Sequence, residues 1–132
     1  MRIVLDTHAW VWWVTEDRRL SKGAARAIKR AAASGTAWLS PISVWEVAKK
    51  VEKQQLTLDR PVRDWVDLAL RQRGLAVADL SPEVLIESCS LPQPFHGDPA
   101  DQIIVATARH LQATLVTKDE RLLEYAHVPS TW

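Results

Sequence analysis

The sequence holds a single cysteine, Cys89. No disulfide can close within the chain, and no cysteine-rich zinc site can form. That economy fits a reducing compartment, so a soluble cytoplasmic protein is expected. Long apolar runs are missing too. None approaches the ~18 residues of a membrane span, and Asp6 interrupts any secretory hydrophobic segment before it develops. Glycine is scarce, at four residues, and neither a GxGxxG turn nor a phosphate-binding P-loop occurs. A bound nucleotide cofactor is therefore not expected. Net charge is only +1, so the molecule as a whole casts no strong field in either direction.

What is present fits one folded domain over residues 1–132. Hydrophobic residues make up 47% and charged residues 25%, the balance of a globular chain rather than a disordered one. Charge is unevenly spread. Arg18, Arg19, Lys22, Arg26, Lys29 and Arg30 crowd one stretch, and Lys49, Lys50 and Lys53 another. Either patch suits nucleic-acid phosphates, although solvated helix faces explain each one alone. Tryptophan is abundant, with seven residues: Trp10, Trp12, Trp13, Trp38, Trp45, Trp65 and Trp132. The group at positions 10, 12 and 13 is too dense for one small core to bury whole, which points to a protein partner.

Periodicity and punctuation predict alternating strands and helices. Arg2 to Leu5 reads as a buried strand and Thr7 to Val14 as a helix. Ser21 caps a helix over Lys22 to Ala33. A strand follows at Ala37 to Leu39. Ser40-Pro41 opens a helix to about Glu52, with Ser as N-cap and Pro in the first position. Another helix starts at Asp59-Arg60-Pro61 and runs to about Arg71. Leu75 to Val77 is a strand, and Ser81-Pro82-Glu83 opens a helix to about Ser90. Three prolines and a glycine make 91–99 a loop. A helix then runs to about Gln112, a strand covers Ala113 to Thr117, and a short helix covers Glu120 to Tyr125. Val128 to Trp132 offers an edge strand. The expected architecture is an α/β three-layer αβα sandwich around a mainly parallel sheet of four to five strands.

Ligands of such sheets bind beyond the carboxyl ends of the strands. Asp6 ends the first strand and Asp119 follows the fourth. Asp98 and Asp101 open the helix leading into the fourth strand, and Glu46 lies on the helix after the second. Crowded carboxylates repel one another, and a hard divalent cation such as Mg²⁺ or Mn²⁺ resolves that repulsion. A metal so held promotes phosphodiester hydrolysis. Each acid also has a plainer reading. Asp6 and Asp119 serve equally as helix caps, and Asp98-Pro99-Ala100-Asp101 is a good helix start in its own right. Glu46 lies opposite the Val44, Val47, Ala48, Val51 stripe, so a surface pair with Lys50 accounts for it. His8, His96, His110 and His127 show no metal-ligand spacing and read as surface or internally satisfied residues. Cys89 reads as a buried small residue.

Four segments together resemble the PIN-domain toxins of the VapC type. They are Ile3-Val-Leu-Asp-Thr-His-Ala-Trp-Val-Trp-Trp13, Ser40-Pro-Ile-Ser-Val-Trp-Glu-Val-Ala48, His96-Gly-Asp-Pro-Ala-Asp-Gln-Ile-Ile-Val-Ala-Thr-Ala108, and Leu115-Val-Thr-Lys-Asp119 followed by a terminal tryptophan. They occur in family order and span nearly the whole chain. The resemblance implies a Mg²⁺- or Mn²⁺-dependent ribonuclease. It makes Asp6 and Asp101 the principal metal ligands, with Glu46 and Asp119 completing an acidic pocket. Asp98 is an additional acid of this subgroup, and Thr7 helps hold the pocket through its hydroxyl. Ala100 stands where the subgroup usually has an aromatic, and Gln102 where it has arginine, which affects packing and substrate contacts rather than the acids. The resemblance also implies a cognate antitoxin protein that wraps the toxin and blocks the acidic cleft, and a homodimer; the exposed tryptophans and the basic second helix offer the antitoxin reasonable docking surfaces. The alternative is a non-catalytic PIN-like module that grips RNA or a protein. A phospho-receiver fold, with Asp79 as acceptor, lacks the paired acids expected after the first strand.

Overall fold

The computed structural model describes residues 1–132. Its sheet contains β1 (Ile3–Leu5), β2 (Ala37–Leu39), β3 (Leu75–Val77), β4 (Thr114–Val116) and β5 (Ser130–Thr131), in the order β3-β2-β1-β4-β5. All four pairings are parallel, with Leu5 opposite both Leu39 and Val116. The expected parallel α/β sheet is thus present, and the tail supplies its fifth strand.

The pleat sorts the core into two halves. Ile3, Leu5, Leu39 and Val116 point to one face; Val4 and Leu115 point to the other. The first face is covered by α1 (Thr7–Val14), α2 (Lys22–Ala33), α3 (Ile42–Glu52) and α4 (Val62–Leu70), which contribute Trp10, Ile28, Val47 and Trp65. The second is covered by α5 (Pro82–Ser88), α6 (Pro99–His110) and α7 (Glu120–Leu123), through Val84, Ile104, Val105 and Leu122. No helix is long and apolar enough to cross a membrane.

Local chemistry explains most boundaries. Ser21 and Ser81 accept hydrogen bonds from the backbone N–H groups of Ala24 and Val84, satisfying donors that the first helical turn leaves free. Gly74 has φ +85°, and a Cβ there would lie 2.1 Å from the Ala32 carbonyl oxygen, so only glycine lets the chain enter β3 against the end of α2. The helix after Ser40-Pro41 begins one residue later than expected, with Pro41 as cap and the Ser40 hydroxyl accepting from Ile42 N–H. Cys89, expected inside, is exposed: it follows the last turn of α5, whose buried positions are Val84 and Ser88.

The sheet order fixes where a ligand crevice must open. From β1 the chain moves outward through β2 and β3, then returns to the opposite side of β1 for β4. The crevice therefore opens between the carboxyl ends of β1 and β4, where the winding reverses. The residues immediately after those ends are Asp6 and Thr117. Asp79, the acceptor of a receiver reading, follows the edge strand β3 and is exposed there.

Candidate active site

Asp6 is only 4% exposed and is fixed at both oxygens. Oδ1 accepts from Thr7 N–H at 2.8 Å, capping α1, and Oδ2 accepts from the Thr117 hydroxyl at 2.7 Å. Thr117 Oγ1 in turn accepts from Asp119 N–H at 3.0 Å, so one hydroxyl joins the acidic segment after β1 to the one after β4. His8 Nδ1 lies 3.6 Å from Asp6 Oδ2, and its Nε2 accepts from Lys118 N–H at 2.9 Å. That hydrogen bond places the ring proton on Nδ1, facing Asp6. Burial lowers the His8 pKa, with Lys50 and Lys118 adding to the effect and Asp6 opposing it.

Glu46 corrects the surface-pair expectation. Its Oε1 is 2.5 Å from the Thr7 hydroxyl, which also lies 2.8 Å from Ser43 Oγ. Thr7 has one proton to give; the carboxylate is the stronger acceptor, which leaves Ser43 to donate to Thr7. The buried side of α3 includes Ser43 as well as Val47, and the apolar stripe overlooked that polar position. Glu46 therefore turns inward, and it is Lys49 that makes the surface pair, with Glu52 at 2.6 Å. Burial raises the Glu46 pKa; the Thr7 hydrogen bond opposes this, and the charges of Asp6 and Asp98 add to it.

Asp101, 8% exposed, sits in the first turn of α6. Its Oδ2 is 2.7 Å from His96 Nε2. Burial pushes its carboxyl up to about 6, against the His96 hydrogen bond and with help from the charges of Asp6 and Asp98. Asp98 is the α6 cap, accepting from Asp101 N–H at 3.0 Å. Its negative charge is nevertheless felt by both Glu46 and Asp101. Capping and membership of the acid cluster coincide in this residue.

Asp119 stands apart. It caps α7 by accepting from Arg121 N–H at 2.9 Å, and the Arg121 side chain grips both its oxygens, at 3.3 and 3.0 Å. That guanidinium holds the Asp119 carboxyl below the usual carboxylate range. It also comes within 3.9 Å of Asp101 Oδ2.

The charges of Asp6 and Asp98 thus reach both Glu46 and Asp101, and Asp119 connects to this group through Thr117 and Arg121. No three of the metal-binding side chains form a finished cage. The donors are nevertheless hard carboxylate oxygens, and two of the acids, Glu46 and Asp101, have pKa values raised by burial and by their acidic neighbours. Such a set fits Mg²⁺ or Mn²⁺ chemically. The residues that the sequence did not single out include three side-chain hydrogen-bond partners of these acids. His96 is the partner of Asp101, Thr117 the anchor of Asp6, and Arg121 the counter-ion of Asp119. Each lies within five residues of an acid it touches or in the Thr-Lys-Asp run, and that proximity was the available signal.

Beside the acids, a cleft of about 380 Å³ opens between α1 and the 55–58 loop, lined in part by Thr7, His8, Trp12, Arg19 and Lys50. The Arg19 guanidinium lies 4.8 Å and Lys118 Nζ 5.6 Å from the Trp12 ring. Trp12 also packs on His8 and Trp132. Of the dense tryptophan group, Trp10 is fully buried while Trp12 and Trp13 are partly exposed.

Known proteins place this arrangement in a family. The model of the PIN domain matches residues 3–128. The chain is 38% identical over 126 residues to the protein named Ribonuclease VapC22 of Mycobacterium tuberculosis, covering 95% of this chain and 92% of that one. The fold superposes with a TM-score of 0.71 on a chain in the crystal structure of VapBC2 from Rickettsia felis bound to a promoter DNA fragment, at 19% identity, covering 99% and 98% of the two chains. A chain of a toxin-antitoxin complex from Klebsiella pneumoniae gives a TM-score of 0.65 at 20% identity, covering 96% and 94%. With a family model spanning nearly its whole length and a relative of this identity, the chain belongs to the PIN domain family.

Proposed function

We propose that this protein is a metal-dependent endoribonuclease, the toxin component of a toxin-antitoxin pair. The observation that carries the reading is the set of inward-facing acids at the winding reversal, in which Asp101 is pushed up to about 6. A fold gains nothing from burying carboxylates that repel one another; a site awaiting a cation does. The ribonuclease named among its relatives and the toxin-antitoxin complexes among its structural neighbours support the same reading.

Asp6 and Asp101 would be the principal ligands of Mg²⁺ or Mn²⁺, with Glu46, Asp119 and Asp98 completing the acidic pocket. When bound, the cation supplies positive charge against the phosphodiester and makes water a better nucleophile. The chain's own residues do the rest. Thr117 and Thr7 fix the Asp6 and Glu46 carboxylates. His96 fixes Asp101. Arg19, Lys50 and Lys118 flank the acids and draw in the RNA backbone. An antitoxin protein that covers this cleft would silence it, and a homodimer is the expected assembly of the free toxin.

The purified protein should cleave RNA with Mg²⁺ or Mn²⁺ and stop on chelation or in the Asp6→Asn variant. Undiminished cleavage by Asp6→Asn would remove the assignment. A non-catalytic RNA- or protein-binding module would instead bind no divalent ion at millimolar concentration.

A further inference from the structure

Asp119 has two claimants. As a member of the acidic pocket it should face a cation, yet in the structure both its oxygens are held by the Arg121 side chain. Of the arginines in ion pairs, Arg121 alone reaches the acid cluster; the others pair with Asp17, Asp59 and Glu87. Its guanidinium lies 3.0 Å from Asp119 and 3.9 Å from Asp101, and so bridges two of the five acids.

That hold is a weak one. The Arg121 side chain is 61% exposed, and ion pairs so open to water contribute little. The side chain also has somewhere to go. A cleft of about 410 Å³ lies against it, lined by Pro94, Phe95, His96, Arg121, Glu124 and Tyr125. This cleft adjoins the acids through His96 and Arg121, both of which lie against Asp101. Glu124 is the one acidic residue in its lining. A planar guanidinium matches the paired oxygens of a phosphate as well as those of a carboxylate.

We propose that Arg121 is a movable counter-cation, which neutralises Asp119 and Asp101 in the metal-free protein and turns to an RNA phosphate beside the scissile bond when a divalent ion takes those carboxylates. The proposal rests on the reading of the site as a metal-dependent ribonuclease. It assigns Arg121 opposite effects on the two ligands: competitor of the metal, ally of the RNA.

The test compares the wild type, Arg121→Gln and Arg121→Lys. Mn²⁺ affinity is measured by titration calorimetry without RNA, and KM and kcat on a short RNA are measured with saturating Mn²⁺. Arg121→Gln should bind Mn²⁺ roughly threefold or more tightly, the scale of losing a partly exposed cation, while its KM for RNA rises roughly tenfold or more. Arg121→Lys keeps the charge but not the fork, so its Mn²⁺ affinity should stay near wild type and its KM should lie between the other two. Equal or weaker Mn²⁺ binding by Arg121→Gln would overturn the proposal and leave Arg121 as the capping partner of α7. So would an unchanged KM. A wild-type protein that binds no Mn²⁺ and cuts no RNA overturns the ribonuclease reading itself, a different result from either.

Discussion

The Thr117 hydroxyl donates to Asp6 Oδ2 at 2.7 Å across 111 positions of sequence. Both residues are buried, and each begins just where its strand ends. The parallel pairing of Leu5 with Val116 sets the two side chains beside one another, and the hydrogen bond fixes which way the Asp6 carboxylate faces. Because Thr117 also accepts from Asp119 N–H, the bend of the chain into α7 depends on the same hydroxyl.

Thr117→Val keeps the shape and removes that hydroxyl. Asp6 Oδ2 then loses its donor and Asp119 N–H its acceptor, which should cost about 1–3 kcal/mol of stability. Metal-dependent RNA cleavage should fall on the order of tenfold to a hundredfold, because the partners that orient a ligand contribute on that scale. Thr117→Ser should restore most of both. Denaturant melts and cleavage rates of the two variants check this. Equal activity in Thr117→Val and the wild type would mean that Asp6 is held adequately by Thr7 N–H alone.

The layered α/β order was legible because short apolar runs, serine caps and prolines punctuate this chain clearly. The positions of Asp6 and Asp101 were legible for the same reason: each stands at a predicted strand end or helix start, and the structure buries both there. Glu46 was misplaced because its partner, Thr7, lies 39 positions away, and the apolar stripe of α3 gives no sign that the polar Ser43 is buried beside Val47. His96 was discounted because a histidine that meets an acid five positions on, across a loop and a helix start, obeys no ligand spacing. Periodicity within one element cannot register contacts that only tertiary packing creates.

Thr7 should act on catalysis through Glu46. Its hydroxyl stabilises the charged carboxylate and so opposes the rise in pKa that burial causes. Thr7→Val removes the donor, the Glu46 pKa climbs further, and a higher pH is needed to ionise it. The acid limb of the RNA cleavage profile should therefore move upward by roughly half a unit to one unit, with activity recovering at alkaline pH. A uniform loss across all pH values would instead indicate a purely structural role.

The tryptophans should divide sharply under substitution. Trp10 is fully buried, lies edge-on to Trp65 at 5.2 Å and donates to the Ala69 carbonyl. Trp10→Ala should cost about 3–5 kcal/mol, the usual result of emptying so large a buried volume. Trp45 is 56% exposed, and Trp45→Ala should change stability by less than about 0.5 kcal/mol. Thermal melts of the free protein decide both. A large loss in Trp45→Ala would show that this ring is covered in solution by another copy of the chain.

Asp101→Asn should make the metal-free protein more stable while removing its cleavage of RNA. The folded protein holds the Asp101 proton up to about pH 6, whereas the unfolded chain releases it near the ordinary value of about 3.9. Above pH 6 the folded state must carry a buried charge that its acidic neighbours resist. Between about pH 4 and 6 it takes up a proton that the unfolded chain does not, so stability from this group rises as the pH falls. Below about pH 4 both states are protonated and the contribution is constant. Asparagine removes the charge at every pH and still offers His96 an oxygen to pair with; it gives up the favourable interactions of a negative charge with the His96 ring and the exposed Arg121 guanidinium, and with the α6 N-terminus, the last about 0.3–1 kcal/mol. With chelator present, the variant should therefore melt a few degrees above wild type at pH 7.5, with the gap closing as the pH approaches 4. Saturating Mn²⁺ should reverse the order at pH 7.5, because only the wild type gains binding energy from the ion. A variant that melts below wild type at pH 7.5 without metal would mean that the Asp101 charge stabilises the fold, and that the acids were not gathered at the expense of stability.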